Sequence, residues 1–213
     1  PLTDRPYAGF LYVGLGLAQD TGAHLDQIQV ELGMVGPASL AEEAQKFVHG
    51  IIKARKPLGW STQLRDEPGL VIEYRRSIKL IPQQSLIGLT FAAEPHYGAA
   101  VGNIYDYADL GAMARIGFNM PRDYGPMRID PSLPGSDFFE PSAGIGAYAF
   151  LGVEGRAIAR NLFLDGNSFQ SSRSVSKMNL VGDIVWGAAL TFDSVRIAYT
   201  HVVRSREYKS QST

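Results

Sequence analysis

Gln45 and His49 stand four residues apart in a segment with helical spacing, which stacks the two side chains on one side of a helix. An imidazole held beside an apolar membrane surface takes a proton from water at neutral pH and delivers hydroxide to an ester carbonyl. Taken alone, a histidine on a helix shoulder is more often an ordinary polar residue than a base, so the assignment needs support from elsewhere in the chain. Other chemistry finds less footing. There is no cysteine for a thiolate nucleophile or a thiolate metal site. No G-x-S-x-G elbow occurs, and spacing assembles no Ser/His/Asp triad. His24, His96 and His201 have no second His or carboxylate at a metal-ligand spacing, which speaks against zinc. Calcium takes oxygen ligands in a loose cage that leaves little trace in a sequence. The adjacent Asp66 and Glu67 point opposite ways in an extended chain and read as a charged pair at the start of a strand.

The helix that carries Gln45 and His49 is expected over Ser39 to Arg55, about four turns. Leu40, Ala44, Phe47, Val48, Ile51 and Ile52 form its apolar stripe, Ser39 and Glu42 fit a capping box, and Pro57 with Gly59 ends it. Around this helix the dominant pattern is alternation with period two. Ile28, Val30, Leu32 and Met34 oppose Gln27, Gln29, Glu31 and Gly33. Further alternating segments run through Tyr7 to Ala18, Leu70 to Leu80, Ile87 to Glu94, Leu110 to Asn119, Ile145 to Arg156, Val181 to Thr191 and Val195 to Arg204. Pro82 to Gln84 and Asp193-Ser194 are expected as tight turns at one end, Asp165 to Asn167 as a turn, and Pro121 to Pro141 as a long irregular loop.

Such alternation fits a soluble antiparallel sandwich as well as a membrane barrel, so the contents of the two faces must decide. The faces carrying Glu31, Glu73, Arg75, Arg115, Glu154, Arg156 and Arg196 also carry many Gly and Ala. Small and charged residues together suggest a wet lumen crossed by ion pairs, with the apolar face towards lipid. Only 19% of residues are charged, lean for a soluble surface. The formal net charge of −1, without a basic run, removes nucleic acid from the expected partners. Tyr7, Tyr12, Tyr97, Tyr105, Tyr107, Trp60 and Trp186 fall near strand ends, as an interfacial aromatic girdle would.

An ordered series of motifs is more specific than the period. Asp4-Arg5-Pro6-Tyr7-Ala8-Gly9, Glu31-Leu32-Gly33-Met34-Val35-Gly36-Pro37, Gln45-x-x-x-His49, and Gly59-Trp60-x-x-Gln63-Leu64-x-x-Glu67-Pro68 together resemble the outer-membrane lipid A 3′-O-deacylase family. Gly102-Asn103 and Phe163-Leu164-Asp165-Gly166-Asn167 extend the likeness over nearly the whole chain. The resemblance implies an all-β transmembrane antiparallel barrel of about twelve strands, some eight of them within residues 1–213, with one extracellular loop helix. It implies further strands before Pro1, carrying an Asn-Asp pair, and a last strand beyond Thr213. It also implies an esterase dependent on calcium, with His49 activating water, Gln45 assisting, and Trp60 and Gln63 as substrate contacts. The expected partner is lipid A of lipopolysaccharide in the outer leaflet, and the expected form a monomer in the bacterial outer membrane. Some members place a glutamate six residues after the histidine, where this chain has Arg55. That departure keeps a second reading open, a catalytically inactive structural or porin-like barrel. Counting strand crossings puts the loops around Tyr97 to Tyr107 and Leu164 to Lys177 at the end of His49, and Pro121 to Pro141 at the other.

Overall fold

The computed structural model describes residues 4–55, 57–86, 88–126, 129–130, 133–134 and 139–211. Eight long strands follow one another: β1 (Phe10–Asp20), β2 (His24–Val35), β3 (Glu67–Ile78), β5 (Leu89–Gly102), β6 (Tyr105–Phe118), β9 (Ile145–Asn161), β10 (Leu180–Phe192) and β11 (Val195–Arg204). Three short strands complete the list: β4 (Ile81–Leu86), β7 (Ile129–Asp130) and β8 (Leu133–Pro134). The long strands pair antiparallel in the order β1-β2-β3-β5-β6-β9-β10-β11, β4 pairs with β5, and the sheet curls into a barrel wall whose edges are β1 and β11.

Side chains alternate across this wall as the period requires. In β3, Glu67, Gly69, Val71, Glu73 and Arg75 are buried while Pro68, Leu70, Ile72 and Tyr74 are exposed. In β1, by contrast, nearly every residue is exposed, with Val13, Leu15 and Leu17 each more than two-thirds so. An apolar outer face over a buried face with charges is the arrangement of a membrane barrel. The interior is less uniformly wet than the sequence suggested. Val35, Leu64, Val71, Ile104, Tyr107, Ile158, Leu162 and Val181 pack together at one end, and Met113, Met120, Tyr148, Phe150 and Val185 form a second cluster towards the other. Between them lies a belt of ion pairs. His96 of β5, Gly111 of β6 and Glu154 of β9 stand on one rung of the sheet. A Cβ on Gly111 would sit 2.5 Å from His96 Nε2, so only glycine there lets the imidazole reach Glu154, 3.0 Å away.

Four local expectations need correction. Helix α1 spans Ala41–Ile51, shorter than Ser39 to Arg55, and Ser39 does not cap it. Its hydroxyl donates instead to the Gly36 carbonyl, inside a 3-10 turn at Pro37–Ser39, and Leu40 takes a left-handed conformation between turn and helix. Pro82 to Gln84 are not a turn but part of β4; the chain reverses around Gly88, whose φ of 77° suits glycine. Trp60 and Tyr107 are buried rather than set in an outer girdle, whereas Trp186 does face outward. The loop after β6 is only partly irregular. Met120, Pro121, Asp123 and Tyr124 fold back into the interior, while 127–128, 131–132 and 135–138 lie outside the described residues.

Candidate functional site

Strand direction gathers one set of loops at one end of the wall. The segment before β1, helix α1, the 3-10 turn Trp60–Thr62, the β5–β6 turn, the short helix α2 (Leu162–Asp165) and the residues after β11 all share it. Residues 4–9 run beneath these loops as a strap. The Leu64 amide donates to the Tyr7 carbonyl at 2.9 Å, and the Gly36 amide to the Gly9 carbonyl at 3.1 Å. At the strap's start the Tyr208 hydroxyl donates to Asp4 Oδ1 at 2.5 Å. That bond holds the Asp4 carboxyl below its ordinary value and raises the Tyr208 phenol.

Helix α1 turns its two faces to different surroundings. Phe47 and Ile51 are 71% and 65% exposed, and no residue of the helix is buried. On the other side Gln45 and His49 are half-buried and share one face, the sharing that their spacing predicted. The Trp60 indole Nε1 donates to Gln45 Oε1 at 2.8 Å. Trp60 is itself buried and meets the Tyr7 ring edge-on, centroids 5.1 Å apart. The fit is close. A Cβ on Gly59 would lie 2.1 Å from the Tyr7 ring.

His49 Nδ1 lies 2.6 Å from the Arg55 carbonyl oxygen. A carbonyl only accepts, so Nδ1 carries the proton and, in the neutral ring, Nε2 holds the lone pair. The backbone of Arg55 thus supplies an orienting acceptor at the position where some members of the resembled family carry a glutamate side chain.

A cavity of about 670 Å³ opens below the helix, bordered by Gln45, Trp60, Tyr7, Tyr107, Arg156 and Arg204 among others. Of the four residues singled out from the sequence, Gln45 and Trp60 meet at its rim. His49 sits one helical turn along, and neither it nor Gln63 lines the cavity. Gln63 is half-buried and closes the Trp60 turn through its amide, 3.1 Å from the Trp60 carbonyl.

Sequence reading missed Glu67. Rather than a surface charge at a strand start, it is buried and accepts bonds from Asn103 Nδ2 at 2.9 Å, Asn167 Nδ2 at 3.0 Å and the Ser168 amide at 2.8 Å. The motifs around Glu67, Asn103 and Asn167 meet at this one carboxylate.

Among the described residues one group offers metal-ligand atoms together: His96, Asp109 and Glu154, with one donor atom from each within 4.8 Å of the others. It does not fit calcium. Calcium seeks six to eight oxygens, whereas here one of three donors is an imidazole. Arg75 Nη2 already stands 3.2 Å from Asp109 Oδ1 and 3.4 Å from Glu154 Oε2, filling the position of a cation. The group also lies on strand rungs of β5, β6 and β9, away from helix α1.

Comparison with known proteins agrees with this architecture. The family model described as outer membrane protein LpxR matches residues 1–213. Among solved structures, LpxR from Salmonella typhimurium superimposes with a TM-score of 0.84 at 23% identity, over 98% of this chain and 70% of that one, a likeness of fold. No curated protein matches the sequence. With the family model matching residues 1–213 and the curled antiparallel wall in place, the chain belongs to the LpxR family of outer membrane proteins and resides in the outer membrane.

Proposed function

We propose that this protein is a lipid A 3′-O-deacylase, a carboxylic ester hydrolase acting on lipopolysaccharide in the outer leaflet with His49 as general base. The observation that carries the reading is the His49–Arg55 bond, which leaves Nε2 as the basic nitrogen on a helix whose opposite face is apolar and exposed. Such a helix lies in a lipid surface with its polar face towards the protein, which brings an ester of a membrane lipid to the imidazole from the side. Nε2 takes a proton from water as the water oxygen bonds to the acyl carbon. The bond from that carbon to the sugar oxygen then breaks, and the imidazolium returns the proton to that oxygen. The products are a free acid and a free 3′-hydroxyl. General-base assistance of this kind is worth about 10²- to 10⁴-fold.

Calcium is implied by the family resemblance, where it would polarise the ester carbonyl. Among the described residues the one cluster of imidazole and carboxylate ligands, His96, Asp109 and Glu154, does not suit it. Ion pairs crossing the interior weigh against the alternative of an open pore. The protein is read as a monomer. Mass spectrometry of lipid A from cells expressing the full-length gene tests the reading: the wild type removes the 3′-linked acyl group and His49→Ala does not. Deacylation retained by His49→Ala removes the mechanism.

A further inference from the structure

We infer that Trp60 is a positioning residue, acting through Gln45 to set His49, and not a contact for substrate. The inference rests on the proposed role of His49 and explains motifs that role leaves unused. Trp60 is only 7% exposed, and its indole is already committed on two sides, donating to Gln45 Oε1 at 2.8 Å and meeting the Tyr7 ring. A buried indole with its one donor spent has no hydrogen bond to offer a ligand. Tyr7 is fixed in turn: its carbonyl accepts from the Leu64 amide, and its ring fills the space beside Gly59 that a side chain would need.

The strap, the Gly59-Trp60 turn and the helix therefore form one chain of contacts, Leu64 to Tyr7 to Trp60 to Gln45. Helix α1 has no buried residue, so the packing that normally fixes a helix on a protein is weak here. The Trp60–Gln45 bond supplies a fixed point on its polar face, one turn from His49. Without that point the helix is free to roll on its apolar side, carrying the His49 imidazole away from the place it holds one turn beyond the cavity rim. Displacements of about 1 Å at a reacting group are enough to cost about a hundredfold in rate, whereas affinity for a ligand that does not touch Trp60 is unaffected.

The test uses full-length protein in detergent with purified lipid A, comparing wild type, Trp60→Phe, Gln45→Leu and the double variant. Heat-modifiable migration on a gel verifies that each barrel folds. Trp60→Phe keeps a ring against Tyr7 while removing the donor and part of the indole volume, and Gln45→Leu removes the acceptor without touching that packing. We expect each single variant to lower kcat by about tenfold, the scale of one hydrogen bond, with KM unchanged and no further loss in the double variant. A second readout does not depend on turnover. In ¹⁵N spectra of the His49 ring, the bond to the Arg55 carbonyl keeps Nδ1 protonated in both proteins, and Trp60→Phe shifts and broadens the Nε2 signal, whose surroundings change as the helix rolls. A raised KM with additive losses makes Trp60 a substrate contact and overturns the inference, as does wild-type kcat with an unchanged ring spectrum. If His49→Ala stays active while Trp60→Phe alters the ring spectrum, the general-base role of His49 fails and the positioning contact stands.

Discussion

Glu67 and Asn167, a hundred residues apart, are joined by a hydrogen bond of 3.0 Å that fastens the loop after α2 to the start of β3. The same carboxylate holds Asn103 and the Ser168 amide, so three donors converge on a side chain that has no solvent to share them with. Glu67→Gln replaces one acceptor oxygen by a donor, which must then face donors. The expected cost is about 1–3 kcal/mol for the groups left unpaired. Hydrogen exchange at the Asn167 and Ser168 amides should speed up in the variant, while exchange in β10 and β11 stays as it was.

A second buried junction lies at the opposite end of the wall. Arg115 Nη2 donates to Glu94 Oε1 and to the Asp123 carbonyl, both at 2.6 Å, and Asp123 also pairs with Arg196. Asp123→Ala leaves two guanidinium groups short of a carboxylate in a closed space. Removing one partner of such a set costs about 3–5 kcal/mol. The urea midpoint should fall accordingly. An unchanged midpoint would mean that water reaches Arg115 and Arg196 freely.

The belt around Arg75 gives a prediction about metals. In the wild type the guanidinium neutralises Asp109 and Glu154, so millimolar zinc should leave the unfolding temperature unmoved. Arg75→Ala removes that charge and leaves an imidazole and two carboxylates, ligands that suit zinc. The variant should be less stable than wild type and regain stability with added zinc, as binding to the folded state requires. Zinc that stabilises the wild type equally would show that Arg75 does not block the position.

These contacts also show how far the sequence could be read. Period two in β3 and β9 gave the barrel wall because each residue there faces either the interior or the lipid, and residue type follows the face. The pairing of Gln45 with His49 on one helix face was legible for the same reason at a different period. Long-range partners were not. His96 and Glu154 are 58 residues apart and meet only because β5, β6 and β9 align in register across Gly111, which no spacing rule can show. Trp60 looked like a membrane-facing aromatic because its type suits an interface, and only its placement beside Tyr7 reveals it as buried. The capping box at Ser39 and Glu42 failed because the hydroxyl found a nearer acceptor in Gly36.

Asp4 and Tyr208 make the strap sensitive to acid. Folding lowers the Asp4 pKa through the bond from the Tyr208 hydroxyl, so the contact stabilises the docked strap above the ordinary carboxylate range. Its contribution falls away as the pH drops towards and through the lowered folded value. The phenol is raised, so alkali does not release it until beyond the usual tyrosine range. Protection of the Leu64 and Gly36 amides, which bond the strap carbonyls, should therefore be high near neutrality and fall in strong acid once the exchange rates are divided by the intrinsic rate at each pH. Asp4→Asn should remove this acid dependence and leave protection near the acid level throughout.

The last prediction concerns which end of the barrel faces outward. Strand crossings put Lys53, just after helix α1, at the end that also holds the Trp60 turn and the 162–179 segment, and put Thr21, in the β1–β2 turn, at the other. An acyl chain of the outer leaflet reaches His49 only if the helix end is the extracellular one. The exposed apolar face of the helix then continues the lipid-facing surface of β1, where Leu11, Val13, Leu15 and Leu17 stand bare. The turn between β1 and β2 is short, as periplasmic turns of such barrels are. Neither position is buried, and residues 1–213 hold no cysteine, so an introduced thiol reports its own side when the unsubstituted protein is labelled as background. In intact cells expressing the full-length gene, a membrane-impermeant maleimide should label Lys53→Cys and spare Thr21→Cys. Opening the outer membrane should expose both. Labelling of Thr21→Cys alone in intact cells would invert the barrel and take His49 away from its proposed substrate.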